Sequence, residues 1–206
     1  MEIYSTEEQQ VEALKRFWKE YGVSIIGGAA LGLGGLFGWN AWQDHQQSQQ
    51  EAASAAFAEL MQNTSSTEQM QAAAETFRTE HNEAGYNALV DLMQARVAVD
   101  SGDLSKAETL LKDAVAKLDS STRPLAQLRL ARVQAAQEEL AAAQATLAAI
   151  DNEAFAALRD ELKGDLLKQQ GDLEGARAAY ESAMQAGGAM ASPALQLKLD
   201  GLAQAS

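Results

Sequence analysis

The sequence predicts an all-α protein in which one membrane-spanning helix near the N-terminus is followed by stacked helical hairpins. Three observations support this fold class: a long uncharged stretch, a repeated turn motif, and a composition rich in helix formers with only two prolines. The chain has no cysteine, which excludes disulfides and thiol chemistry. Its net charge of −13 argues against nucleic-acid binding, because an acidic surface repels phosphate groups.

The uncharged stretch lies between Glu20 and Asp44. A helix of about 20 apolar residues is long enough to cross the hydrocarbon layer of a membrane. Aromatic side chains flank the stretch at Tyr21, Trp39 and Trp42, as is typical near lipid headgroups. We therefore predict a transmembrane helix over 22–42, in contact with the lipid bilayer through one span. A buried core helix and a cleaved signal peptide are the alternatives, and the acidic leading segment disfavours the signal peptide.

Basic residues predict the orientation of this helix. Lys15, Arg16 and Lys19 precede it, and no further lysine or arginine occurs until Arg78. Because basic flanks stay in the cytoplasm, residues 1–21 should be cytoplasmic and the residues after the span periplasmic in a Gram-negative cell. The predicted organisation is completed by a helical stalk over 43–66 and a periplasmic domain over 67–206.

Glycines are frequent within the predicted span. Small residues allow a second transmembrane helix to approach closely, and the alternative is an anchor without a partner. The candidates for helix packing are Gly28, Gly32, Gly34, Gly35 and Gly38.

The turn motif marks an internal repeat. Gly102-Asp103-Leu104-x-x-Ala107 recurs as Gly171-Asp172-Leu173-x-x-Ala176, and a degenerate copy begins at Glu138. The three starts are 36 and 33 residues apart, close to the 34-residue period of tetratricopeptide repeats. This period favours a tetratricopeptide-like helical-hairpin solenoid over a generic helical bundle. We expect a helix over 68–83 and a leucine-rich helix beginning at Pro193 to cap its ends.

Residues at equivalent offsets after each turn should pack between the paired helices. Small and large side chains alternate at these offsets. The predicted packing residues are Ala107, Leu111, Ala114, Ala143, Leu147, Ala176, Tyr180 and Ala183.

Two arginines occupy equivalent positions in the first helices of the first two repeats. Arg96 and Arg132 should therefore face a common concave surface, where they would bind a carboxylate of a partner protein. In the third repeat this position is Asp165, and Lys168, one turn later, is the third candidate for binding a partner. The alternative for Arg96 is an ordinary surface pair with Asp100, four residues away.

Catalytic and metal-binding patterns were not found in the sequence. The two histidines, His45 and His81, are far apart in the sequence, and no nucleotide-binding or hydrolase motif is present. We predict a protein that is not an enzyme and has no catalytic, metal or cofactor site. An envelope enzyme is the less favoured alternative.

Taken together, the segment from Tyr4 to Glu12 with Phe17-Trp18, the glycine-rich span and the Gly-Asp-Leu repeats resemble one bacterial family. It is the ancillary SecYEG translocon subunit family, of the YfgM type. The resemblance implies an inner-membrane protein at the exit of the SecYEG channel, associated with the periplasmic chaperone PpiD. It also implies an alternative role, as a membrane tether that holds an envelope-stress response regulator through the cytoplasmic segment.

Overall fold

The computed structural model describes residues 7–63, 67–188 and 192–203, and every regular element in these ranges is a helix. The all-α prediction is confirmed. The chain forms two compact units, one ending at Ala52 and the other beginning at Ala53.

The first helix, α1, spans Glu7–Asn63. In the described residues it is the one helix that is long and apolar enough to cross a membrane, and only 6% of its apolar window is buried. A core helix of a water-soluble domain would be covered by its neighbours, so the low burial disfavours that alternative.

Beyond α1, the described chain folds into short helices joined by tight turns. Their bounds are α2 (Thr67–Glu80), α3 (Ala84–Asp100), α4 (Leu104–Lys117), α5 (Arg123–Ala136), α6 (Leu140–Ala148), α7 (Ala156–Gln169), α8 (Leu173–Gln185) and α9 (Ala194–Ala203), with a 3-10 turn at Glu153–Phe155. The helix expected over 68–83 ends at Glu80, and Glu83, whose backbone is extended, is the residue that precedes α3.

Three helical hairpins stack in sequence order. They are α3–α4, α5–α6 and α7–α8, and the second helix of each hairpin contacts the first helix of the next element. One buried apolar cluster joins α3, α4 and α5, and a second joins α5, α6 and α7. Stacking therefore buries an apolar stripe that no hairpin could cover alone.

Both ends of the array are covered. At the N-terminal end, Leu60 of α1 packs with Phe77 of α2 and Val90 of α3. At the C-terminal end, Leu195 and Leu202 of α9 pack against the third hairpin, whereas Leu197 is 72% exposed.

Candidate partner-binding groove

A groove of about 570 Å³ lies along the first helices of the first two hairpins. Its sides are formed by α3 and α5, and the end of α1 contributes to its lining. The apolar lining includes Phe57 and Met61 from α1, Leu89, Met93 and Val99 from α3, and Leu125 and Val133 from α5. First helices of stacked hairpins line the concave face of a solenoid, which is where such folds bind their partners.

The exposed apolar side chains of the second unit are concentrated at this groove. Among the described residues after 42, the large apolar side chains classed as exposed are Met61, Leu89, Val99, Leu125 and Leu197. All of these except Leu197 line the groove. This clustering makes the groove a candidate interaction site, whereas singly exposed leucines are ordinary on a protein surface.

Three guanidinium groups also lie in the groove. Arg96 comes from α3, and Arg129 and Arg132 come from α5. The lining contains no aspartate or glutamate among the described residues, although residues 44–206 carry 24 acidic and 13 basic side chains. The groove is therefore a basic and apolar surface on an acidic domain.

These arginines are largely available to a ligand. Nε of Arg96 lies 3.8 Å from Oδ2 of Asp100, and the two side chains are 84% and 69% exposed. That distance is too long for a hydrogen bond, and an exposed pair of this kind contributes little. Within the described part of the chain, Arg129 and Arg132 are exposed and form neither a hydrogen bond nor an ion pair.

The repeat explains why Arg96 and Arg132 lie at the same groove. Each follows a buried alanine, Ala95 at 2% exposure and Ala131 at 0%. Because the alanine faces the neighbouring helix, the next residue must point away from it. The equivalent position in the third hairpin, Asp165, instead binds within the domain.

Lys168 is not part of the groove. It is exposed on α7, outside the lining residues. Near it, Asp165 accepts hydrogen bonds from Oη of Tyr180 at 2.8 Å and from Nζ of Lys198 at 2.7 Å. The third hairpin thus uses this position to fix α8 and α9.

A buried ionic cluster connects α3 to the neighbouring helices α2 and α4. Asp91 is 1% exposed and accepts Nη2 of Arg78 and Nζ of Lys117, each at 2.5 Å. Arg78 lies on α2 and Lys117 on α4, so the cluster ties three helices together. Breaking such a pair would leave a buried charge without compensation, which is strongly destabilising. The face of α3 that carries Leu89 and Arg96 is thereby kept in place.

The eight predicted packing residues are all buried, at 2% exposure or less. The hairpins also need a glycine at one point: a Cβ atom added to Gly164 would lie 2.4 Å from the ring of Tyr180. This close approach is the reason that a residue as large as tyrosine fits at a position occupied by leucine in the other two repeats.

Groups that could perform chemistry are sparse in the described residues. No three His, Cys, Asp or Glu side chains are placed to hold a metal ion. His45 bonds to Gln49 on the same helix at 3.0 Å, and the ring of His81 lies 4.8 Å from that of Phe77. Both histidines thus make local contacts that are common in helical proteins and that need no catalytic explanation.

Comparison with known proteins bears on the whole chain. The tetratricopeptide repeat-like domain family matches residues 15–204. A protein of Escherichia coli (strain K12) named ancillary SecYEG translocon subunit is 37% identical over 205 residues, covering 98% of this chain and 99% of its own. A protein of the same name from Haemophilus influenzae is 34% identical over 198 residues, covering 95% and 97%. The chain belongs to the ancillary SecYEG translocon subunit family. No solved structure matches it.

Membership of the ancillary SecYEG translocon subunit family confirms the resemblance and the tetratricopeptide-like fold predicted from the sequence. Together with the one apolar helix of the described residues, it fits a single-pass protein of the inner membrane. The five glycines proposed for helix packing lie on this helix. A Cβ atom added at any of them would meet nothing within 4 Å, so their surface is open.

Sequence reasoning missed Arg129, Phe57 and Met61 as groove residues. Arg129 corresponds to Met93 of the first repeat, so it is not a position where the same residue recurs in two repeats. Its position one helical turn before Arg132 was the available signal. Phe57 and Met61 come from a segment predicted to be a stalk, and only packing of the end of α1 brings them to the groove.

Proposed function

We propose that this family member is a non-enzymatic accessory subunit of the SecYEG translocon, which links the channel exit to the periplasmic chaperone PpiD. The groove between α3 and α5 is the observation that carries the proposal, because it offers a binding surface without catalytic groups. The relatives are named as subunits of the SecYEG translocon, which is why we propose the translocon as the assembly that this protein joins. In this role the domain assists the export and folding of translocated proteins.

The orientation belongs to the proposal. With Lys15, Arg16 and Lys19 in the cytoplasm, the domain lies in the periplasm, on the side where translocated chains emerge. The proposed organisation keeps residues 1–21 inside, 22–42 in the membrane and 43–66 as the segment that connects the span to the domain.

The binding residues divide between membrane and domain. Gly28, Gly32, Gly34, Gly35 and Gly38 let a transmembrane helix of the translocon approach α1 closely. Arg96 and Arg132 bind the periplasmic partner. Lys168 lies outside the groove, so in this proposal it is not a partner-binding residue.

Truncation distinguishes the proposed function from the alternative, in which the protein tethers a response regulator to the membrane. We expect loss of residues 67–206 to abolish recovery of PpiD and slow export, while loss of residues 1–20 leaves both intact once insertion has been verified. Export would be followed by pulse-labelling of a secreted protein. If removal of residues 1–20 alone altered stress signalling and removal of the domain left export unchanged, the tether would be the function.

A further inference from the structure

The chemistry and the length of the groove indicate which kind of partner segment it binds. We propose that it binds an amphipathic α-helix of a periplasmic partner protein, with apolar side chains on its buried face and carboxylates beside them. This inference rests on the proposed function, because it names the ligand of the same surface. It follows from the groove's polar groups, its dimensions and the placement of its arginines.

The polar groups of the lining favour a helix over an extended peptide. Besides the three guanidinium groups, the groove's side chains are apolar. Guanidinium groups donate hydrogen bonds but accept none, so the N–H groups of a buried extended strand would lack side-chain acceptors. A helix satisfies its backbone groups internally and needs only an apolar counterpart for its buried face.

The groove is long enough for about three turns of such a helix. Leu89 and Val99, both exposed on α3, are ten residues apart and so lie about 15 Å apart along the helix axis. A bound helix would place three or four apolar side chains over that length, at positions i, i+3 or i+4, and i+7. Met61 and Met93 add flexible thioether side chains that adapt to the shape of the ligand.

The arginines require acidic residues at a defined spacing. Arg129 and Arg132 are one helical turn apart, and each can bind one carboxylate through two N–H donors. A partner helix with carboxylates three or four residues apart matches this spacing. The chain after residue 43 carries 24 acidic and 13 basic side chains, so its surface outside the groove repels an acidic helix and binding is confined to the groove.

A fatty acid would also bring an apolar chain and a carboxylate. It carries one carboxylate, whereas Arg96, Arg129 and Arg132 line the groove from both sides. Its acyl chain would then cover Arg129 or Arg132 without offering a counter-charge, whereas the two carboxylates of the helix pair with both. The partner helix is therefore the better match, and an acyl adduct is a separate outcome of the test.

Photo-crosslinking of the full chain in its own membranes tests the inference. A photoreactive p-benzoylphenylalanine replaces Leu125 in the groove or, as a control, Leu197 outside it, and mass spectrometry maps each adduct. We expect the Leu125 adduct to fall on one partner segment with apolar residues at helical spacing and two carboxylates one turn apart. An acyl adduct, a segment without that pattern, or no adduct at Leu125 would overturn the inference.

Charge reversal supplies the matched control. The double variant Arg129→Glu and Arg132→Glu should lower the Leu125 adduct at least fivefold, and lysines in place of the mapped carboxylates should restore it. Lys163→Glu with Lys168→Glu makes the same charge change on exposed residues outside the groove and should leave the adduct unchanged. Equal yields in the two double variants would overturn the inference. Recovery of SecYEG from the same membranes distinguishes failure of this inference from failure of the proposed function. If SecYEG were not recovered with the unmodified chain, the result would contradict the proposed function.

Discussion

The turn of the middle hairpin contains a residue in an unfavourable backbone conformation. Glu138 has φ of 64°, where the other two hairpins have Gly102 at 81° and Gly171 at 83°. A side chain with a Cβ atom costs about 1–2 kcal/mol in this left-handed region, whereas glycine adopts it readily. Glu138→Gly should therefore stabilise the domain by about 1 kcal/mol, measured as a higher urea midpoint of the full chain in nanodiscs.

The third hairpin offers the reverse substitution as a control. Gly171→Glu should destabilise the domain by a similar amount, because it introduces the same strain. Asp172, which caps α8 by accepting a hydrogen bond from the N–H of Gly175 at 2.9 Å, is not altered in this variant. A lower midpoint for Glu138→Gly would mean that the glutamate side chain stabilises the turn by a contact that outweighs the backbone strain.

Asp160 makes a pH-dependent contribution to stability. Burial alone would raise the pKa of its carboxyl, but hydrogen bonds from Arg159 and Ser182 outweigh burial and hold the pKa below its ordinary value. A lowered folded-state pKa gives stability that is complete above the unfolded pKa of about 3.9 and is lost as the pH falls. Asp160→Asn should thus be less stable than the unchanged chain at pH 7.

The difference in stability between the Asp160→Asn variant and the unchanged chain should narrow below about pH 4, as Asp160 of the unchanged chain becomes protonated. Circular dichroism melts at several pH values between 2 and 7 measure it. A constant difference over that range would show that the carboxylate charge does not stabilise the fold.

At the scale of the elements, the third hairpin depends on a close helix approach at Gly164. The Cβ atom of an alanine would lie 2.4 Å from the ring of Tyr180, which is buried and held by Asp165. Overpacking of this kind costs about 1–3 kcal/mol. Gly164→Ala should lower the melting temperature, and Tyr180→Leu, which reproduces the leucine of the other repeats, should recover part of the loss. An unchanged melting temperature for Gly164→Ala would contradict the close approach of α7 to the ring of Tyr180.

The membrane helix leads to a prediction about binding rather than stability. Replacing Gly28 and Gly32 by leucine keeps α1 apolar, so insertion should be normal, but it obstructs the close approach of a second helix. We expect recovery of SecYEG from detergent extracts to fall severalfold. Gly27→Leu, at a glycine outside the proposed set where an added Cβ atom likewise meets nothing within 4 Å, is the control for added bulk. Equal recovery in all variants would mean that the glycines have no part in binding.

For the molecule as a whole, the repeats could be read from the sequence because their turns use specific chemistry. Glycine provides the left-handed turn at Gly102 and Gly171, and Asp103 and Asp172 cap the following helices. The strained middle turn is implied only by the alignment of Glu138 with these two glycines, since a glutamate by itself gives no sign of its backbone angle. The groove was predicted only in part, because contacts between α1 and α3 join residues that are distant in sequence.

Recovery of SecYEG with the full chain from its native membranes is the most direct test of the proposed function. We expect SecYEG to co-purify with the unchanged chain, and its recovery to fall when residues 22–42 are replaced by an unrelated span of equal length. An unrelated single-pass protein, expressed at the same level, sets the background. Recovery of SecYEG no higher than that background would contradict the assignment of this protein as an accessory subunit of the translocon.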